Sequence, residues 1–276
     1  MVAQESPVAQ LQLDWLKTPY PESLADQQIH LWLLRSAELE PEYRDCLNAR
    51  EVERSERIID LPKRDLYVAG RAGLRILLGH YAGIDPADVR MRYGVRGKPS
   101  FIGGEGQDIE FNYTVSNGYA LFAFSRSMPL GVDLEIFPRN IEAELFARRI
   151  LSTVEKETWN KVAASQQTHA MLACWTRKEA YGKLLGVGIR YNMNEADLFV
   201  ETENPHWISP VTGLFEDDPE QPLEIAHGVQ LKLPVPGAAA LMYGRNNDYN
   251  PMGGAEYPAT PSIRAFEYGT QTEYVS

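Results

Sequence analysis

Long apolar runs are missing from this chain of 276 residues, and none approaches the roughly 18 residues that span a membrane. The two cysteines, Cys46 and Cys174, lie far apart and make no disulfide framework, which suits a reducing compartment. Histidine is also sparse. His30, His80, His169, His206 and His227 are scattered without ligand spacing, and each reads as structural or exposed. The first residues, Met-Val-Ala-Gln-Glu-Ser-Pro, lack the basic start and apolar stretch of a secretory signal. These absences lead to the expectation of a cytoplasmic protein that neither spans nor binds a membrane.

Positive charge is in deficit too. The formal net charge is −11, which argues against nonspecific nucleic-acid binding. The deficit is uneven. Residues 50 to 98 carry eleven Lys/Arg against seven Asp/Glu, so this segment is +4 and the remainder −15. A basic segment in an acidic chain suggests a place for a small polyanion. Hydrophobic residues make up 44 %, enough for a real core.

Local pattern gives the coarse layout. Residues 30–34 read as a first strand, 38–60 as helical, and 66–81 as a stronger helix with a broad apolar face. Residues 89–93 alternate as a strand before a turn at 94–99. Two apolar runs, 111–114 and 119–125, bracket Asn117-Gly118, the strongest short hairpin signal. Residues 131–136 form another strand, and 141–150 and 170–185 are helical. Ser152 and Glu155 fit a capping box opening a further helix. Strands follow at 198–200, 230–233 and 238–243. The expected organisation is a loose arm over 1–27, lobes at 28–127 and 128–245, and a disordered tail over 246–276.

Two segments carry chemistry. On a strand, residues i and i+2 face one way, so Asp133 and Glu135 of Gly131-Val-Asp133-Leu-Glu135 project together. On a helix, Glu179 and Lys183 of Trp175-Thr-Arg-Lys178-Glu179-Ala180-Tyr181-Gly182-Lys183 are i and i+4 and share a face. Asp-x-Glu by itself is most often a solvated pair of edge-strand acids. Together the segments offer three acids and two lysines, a set suited to a hard divalent ion against a pyrophosphate.

The two segments resemble the paired signature motifs of the 4′-phosphopantetheinyl transferases, as does Phe146-Ala-Arg-Arg-Ile-Leu-Ser152-x-x-Glu155 between them. The resemblance spans roughly residues 30 to 245 and is closest to the larger, monomeric, two-lobed type. It implies an α+β fold of two similar lobes in a pseudo-two-fold arrangement, each a small, mostly antiparallel sheet packed by helices. It implies an enzyme that moves the 4′-phosphopantetheine arm of coenzyme A to a serine of an apo acyl or peptidyl carrier protein, releasing 3′,5′-ADP. By resemblance, Asp133, Glu135 and Glu179 ligate Mg²⁺. Lys178 and Lys183 contact phosphates, and Glu179 or Lys183 assists deprotonation of the serine. Gly97, Lys98 and Pro99 resemble the turn beside the adenine. Thr114 supplies a hydroxyl, and Arg54 and Arg64 lie where the 3′-phosphate is met. The competing readings are a degenerate homologue that binds carriers without catalysis and an unrelated Mg²⁺-dependent nucleotide enzyme.

One position departs from the family. Where its members usually carry a histidine that helps bind a nucleotide phosphate, this chain has Val115, which neither donates a hydrogen bond nor carries charge. Discrimination for the 3′-phosphate should therefore be weak. Coenzyme A and its dephospho form are expected to give similar kcat/KM values in a transfer assay; a large ratio would contradict this.

Overall fold

The computed structural model describes residues 9–18, 23–39, 41–104, 108–126, 128–139, 141–186, 193–195, 197–198, 206–210, 225–244 and 261–268. The chain forms two compact units. One comprises residues 1–13 with 131–256, the other 14–130 with 257–276. The class is α+β: five α-helices and eleven strands among the described residues, in sheets of five, four and two strands. No helix among the described residues is long and apolar enough to cross a membrane.

The 14–130 unit contains strands β1 (Trp15–Thr18), β2 (Gln28–Arg35), β3 (Met91–Tyr93), β4 (Pro99–Phe101), β5 (Glu110–Ser116) and β6 (Tyr119–Ser125), and helices α1 (Ala49–Glu56) and α2 (Leu61–Ala82). Asp60 caps α2 by accepting from the Lys63 N–H, and Gly83, at φ +67°, ends it in the left-handed conformation. The β5–β6 turn has φ of 41° at Asn117 and 84° at Gly118, as a two-residue hairpin requires. α2 lies on β5 and β6, and its apolar side joins Trp32, Leu34, Phe111, Phe122 and Phe124 in one core. Beneath it, Glu51 of α1 accepts from Arg71 Nε (2.7 Å) and Arg75 Nε (2.6 Å) of α2. Two arginines of the basic segment are therefore internal struts rather than anion ligands.

This sheet runs β1-β11-β2-β6-β5, where β11 is Ser262–Tyr268. β11 pairs in parallel with both β1 and β2, while β2–β6 and β5–β6 are antiparallel. Two expectations are corrected here. The arm over 1–27 contains β1, and the tail over 246–276 contains a strand inside the sheet; residues 245–260 and 269–276 lie outside the described set. The reason is side-chain burial: Phe266 stacks on Trp32 at 4.8 Å, and Tyr268 joins the same core. The sheet is also mixed rather than mostly antiparallel.

The other unit carries β7 (Leu130–Ile136), α3 (Ala143–Ile150), α4 (Thr153–Trp159), α5 (Gln167–Leu184), β8 (His206–Pro210), β9 (Ile225–Leu231) and β10 (Gly237–Gly244). Its sheet order is β7-β10-β9-β8. α5 packs on β9 and β10. Leu11 pairs with β9: its N–H donates to Gln230 O (2.7 Å), and its O accepts from Lys232 N–H (3.0 Å). The Ser152–Glu155 capping box is formed in full. The expected strand at 198–200 lies mostly outside the described residues, with Leu198 described as irregular and buried.

Replacing Phe266 with alanine removes a fully packed aromatic from the sheet of the 14–130 unit. We expect a loss of about 3–5 kcal/mol in denaturant unfolding. A change below about 1 kcal/mol would show that β11 contributes little.

Candidate active site

The site begins with a backbone contact. A Cβ at Gly131 would stand 2.0 Å from Ala180 O and 2.4 Å from Leu184 N, so only glycine lets β7 lie this close to α5. Gly131, Asp133 and Glu135 alternate along one face of β7, which this crossing turns toward the helix. Trp175, Glu179 and Lys183 recur every four residues along α5 and share a face. Every residue of β7 is buried, the acids included: Asp133 is 5 % exposed and Glu135 6 %.

Each acid has its own setting. Lys183 Nζ donates to Asp133 Oδ1 (2.6 Å) and to Val132 O (3.0 Å). Glu135 accepts from the Trp175 indole N–H (3.1 Å) and pairs with Arg139 (3.3 Å). Trp175 is in turn held by Phe146, ring centroids 4.8 Å apart. Glu179 Oε1 is buried and accepts no hydrogen bond. Burial pushes the Glu179 carboxyl up to about 7; Asp133 adds to the rise, Lys183 opposes it, and Glu135 contributes least. The three acids and Lys183 therefore feel one another.

This donor set suits a hard divalent cation: it is all carboxylate oxygen, and two of those oxygens, Asp133 Oδ2 and Glu179 Oε1, are buried without a hydrogen bond. The acids do not stand as a closed cage, however. Among the described residues, no group of three or more His, Cys, Asp or Glu is ready to hold an ion. Asp133 is engaged by Lys183 and Glu135 by Trp175 and Arg139, so a cation would have to displace or share those partners.

Lys178 departs from expectation. It is fully buried, ion-paired with Glu155 at 2.7 Å, and donates to Met193 O. Its rotation of about 100° from Glu179 carries it into the interior rather than to the acids. Trp159 is also core, its indole N–H donating to Gln167 O (3.2 Å). Phe146 is taken up by Trp175.

In the 14–130 unit, the residues suggested for the nucleotide are all placed. Gly97 sits at φ +86° in the exposed β3–β4 turn, and Pro99 opens β4. Lys98 Nζ donates to Leu130 O (3.2 Å), and burial brings its ammonium down to about 8, with Glu110 opposing. Thr114 is 8 % exposed in β5. Arg54 is exposed, lying over the Tyr67 ring at 5.8 Å, and Arg64 Nε donates to Ile58 O (2.9 Å). Val115 Cγ1 lies against α2, 2.9 Å from where a Cβ on Gly70 would be, so the departing residue is a packing contact.

Three contributors were missed in the sequence: the Trp175 indole, Arg139, and Glu155 beyond its capping role. Only Glu155 left a signal, the capping box itself.

Asp133, Glu135 and Glu179 thus gather with Lys183 at a strand–helix crossing. The comparisons then give the family. A model described as the 4′-phosphopantetheinyl transferase superfamily matches residues 129–233, which include Asp133, Glu135, Glu179 and Lys183. The 4′-phosphopantetheinyl transferase HetI of Nostoc sp. is 30 % identical over 217 residues, 76 % of this chain and 91 % of that protein. A putative 4′-phosphopantetheinyl transferase of Synechocystis sp. is 29 % identical over 169 residues, 61 % and 69 % of the two chains. The L-aminoadipate-semialdehyde dehydrogenase-phosphopantetheinyl transferase of Xenopus laevis is 25 % identical over 187 residues, 64 % and 62 %. The chain belongs to the 4′-phosphopantetheinyl transferase superfamily and is an enzyme of that class.

The raised Glu179 carboxyl has a pH signature. Unfolded, it titrates near its ordinary 4.5; folded, near 7, so between these values the folded state holds more protons. Stability of the protein in chelator should fall as pH rises from about 4.5 to 7, then level off. Glu179→Gln should flatten that decline in thermal melts. An identical slope in both proteins would mean that Glu179 is not perturbed.

Proposed function

We propose that the chain transfers the 4′-phosphopantetheine arm of coenzyme A to a serine hydroxyl of an apo acyl or peptidyl carrier protein, with Mg²⁺ held by Asp133, Glu135 and Glu179. A serine O–P bond forms, the P–O bond within the pyrophosphate breaks, and 3′,5′-ADP leaves. The observation that carries this is the placement of Glu179 on α5, a half-buried carboxyl raised to about 7 by burial and by Asp133, with Lys183 opposing, inside the family-matched segment.

When bound, Mg²⁺ would neutralise pyrophosphate charge and improve the leaving group. The rest is work for side chains. Glu179 or Lys183 is suited to assist deprotonation of the incoming serine, whose hydroxyl is a poor nucleophile without a base. Lys183 holds Asp133 and can turn its ammonium to a phosphate oxygen as a point charge. If Lys183 rather than Glu179 takes the proton, it must first lose its own. Trp175 and Arg139 orient Glu135. In the 14–130 unit, Lys98, Gly97, Pro99 and Thr114, with Arg54 and Arg64, are the proposed contacts for the nucleotide moiety. The reading is of a monomeric, cytoplasmic enzyme with no nucleic-acid partner.

Carrier docking needs a local surface, because bulk charge in a chain of net −11 does not attract an acidic partner. With Trp159 internal, Leu145 and Val154, 54 % and 61 % exposed on α3 and α4, are the available apolar contacts there.

Incubation with coenzyme A, Mg²⁺ and an apo carrier should add the mass of one phosphopantetheine arm to the carrier. Asp133→Asn, which keeps the shape of the side chain and removes its charge, should cut the rate at least about 100-fold. Wild-type rates in Asp133→Asn, or no mass gain with the wild type on any carrier class, would remove the proposal.

A further inference from the structure

Lys178 and Glu179 are neighbours on α5 with opposite surroundings. Glu179 stands with Asp133 and Lys183. Lys178 is 0 % exposed, and its Nζ lies 2.7 Å from Glu155 Oε2 on α4 while donating to Met193 O. Glu155, 1 % exposed, accepts through Oε1 from the Leu198 N–H (2.7 Å) and through Oε2 from the Ser152 N–H (2.8 Å). Arg177 adds bonds to Leu198 O (3.1 Å) and Gln230 Oε1 (2.8 Å), and Gln230 Nε2 donates to Ala239 O (2.7 Å). Two consecutive cations of α5 thus belong to a buried network joining α4, the residues at 193 and 198, β9 and β10.

A buried ammonium in such a network cannot reach a phosphate without leaving Glu155 charged and uncompensated. Its geometry does suit another task. Side-chain tips lie about 5–6 Å from a helix axis, so a rotation of about 20° moves them by about 2 Å. Misplacement of about 1 Å at a reacting group can cost about 100-fold in rate. We propose that Lys178 is a positioning residue: paired with Glu155, it fixes the rotation of α5 about its axis and so aims Glu179 and Lys183 at β7. This goes beyond the phosphopantetheinyl-transfer reading but rests on it for the reaction that is assayed.

The test compares wild type with K178M, E155Q and the double variant K178M/E155Q. It measures kcat and KM for coenzyme A, and separately Mn²⁺ affinity by titration without coenzyme A. Glu155 touches no substrate on either view of Lys178, so E155Q is decisive. Positioning predicts that E155Q and K178M each lower kcat by about 10–100-fold and weaken Mn²⁺ binding several-fold. KM for coenzyme A should stay within about three-fold, and the double variant should be no worse than the poorer single, as for two members of one network. A direct phosphate contact predicts the reverse: K178M raises KM for coenzyme A about ten-fold or more while E155Q behaves as wild type. That result overturns the proposal. K178M alone strands a buried carboxylate; where it fails to fold, E155Q and the double variant decide, and wild-type kcat and Mn²⁺ affinity in E155Q are equally fatal. Failure of the wild type to transfer the arm sinks the functional reading instead, and the Mn²⁺ comparison between wild type and E155Q still judges the positioning claim.

Discussion

The contact at Gly131 governs the chemistry of the 131–256 unit. With no side chain between them, the β7 backbone and the α5 backbone approach until a methyl group has no room. The acids and Lys183 sit at that crossing. Alternation along β7 puts Asp133 and Glu135 on the side where glycine makes contact, and four-residue recurrence along α5 supplies Trp175, Glu179 and Lys183 opposite. Were the strand an ångström or two further off, Lys183 would lose the 2.6 Å contact that offsets the charge of a buried aspartate.

Burial then sets the electrostatics. Three carboxylates drawn into a poorly solvated region repel one another, and each has a different remedy. Asp133 takes an ammonium. Glu135 takes an indole N–H and a guanidinium. Glu179 takes neither and instead holds its proton more tightly. Glu179 Oε1 and Asp133 Oδ2 are both left without a hydrogen bond, and burial, with the Asp133 charge added, raises the Glu179 carboxyl to about 7.

Much of this was legible from residues alone where the determinant is local. The Asn117-Gly118 hairpin, the Ser152–Glu155 capping box and the i, i+2 pairing of Asp133 with Glu135 each depend on a few adjacent residues, and each is found. What escaped was non-local. β1 and β11 are short and unremarkable as sequence; they become strands because each finds an unpaired edge far away in the chain, and because Phe266 finds Trp32. Lys178 was misjudged for a related reason. α5 is buried on most of its circumference, so no polar face marks which way it turns, and a lysine inside it looks the same as one outside. The Arg71 and Arg75 struts show the same ambiguity: net charge in a segment does not reveal which cations are internal.

The placement of β11 has a consequence for how the protein is made. It sits between β1 and β2 in the sheet, yet it leaves the ribosome roughly two hundred residues after β2, on the order of ten to fifty seconds at typical elongation rates. Throughout that interval the nascent sheet lacks an inner member, and Trp32 has no Phe266 to cover it. The sheet begun by β2 thus stays open at one strand edge, which invites chaperone binding, until β11 emerges.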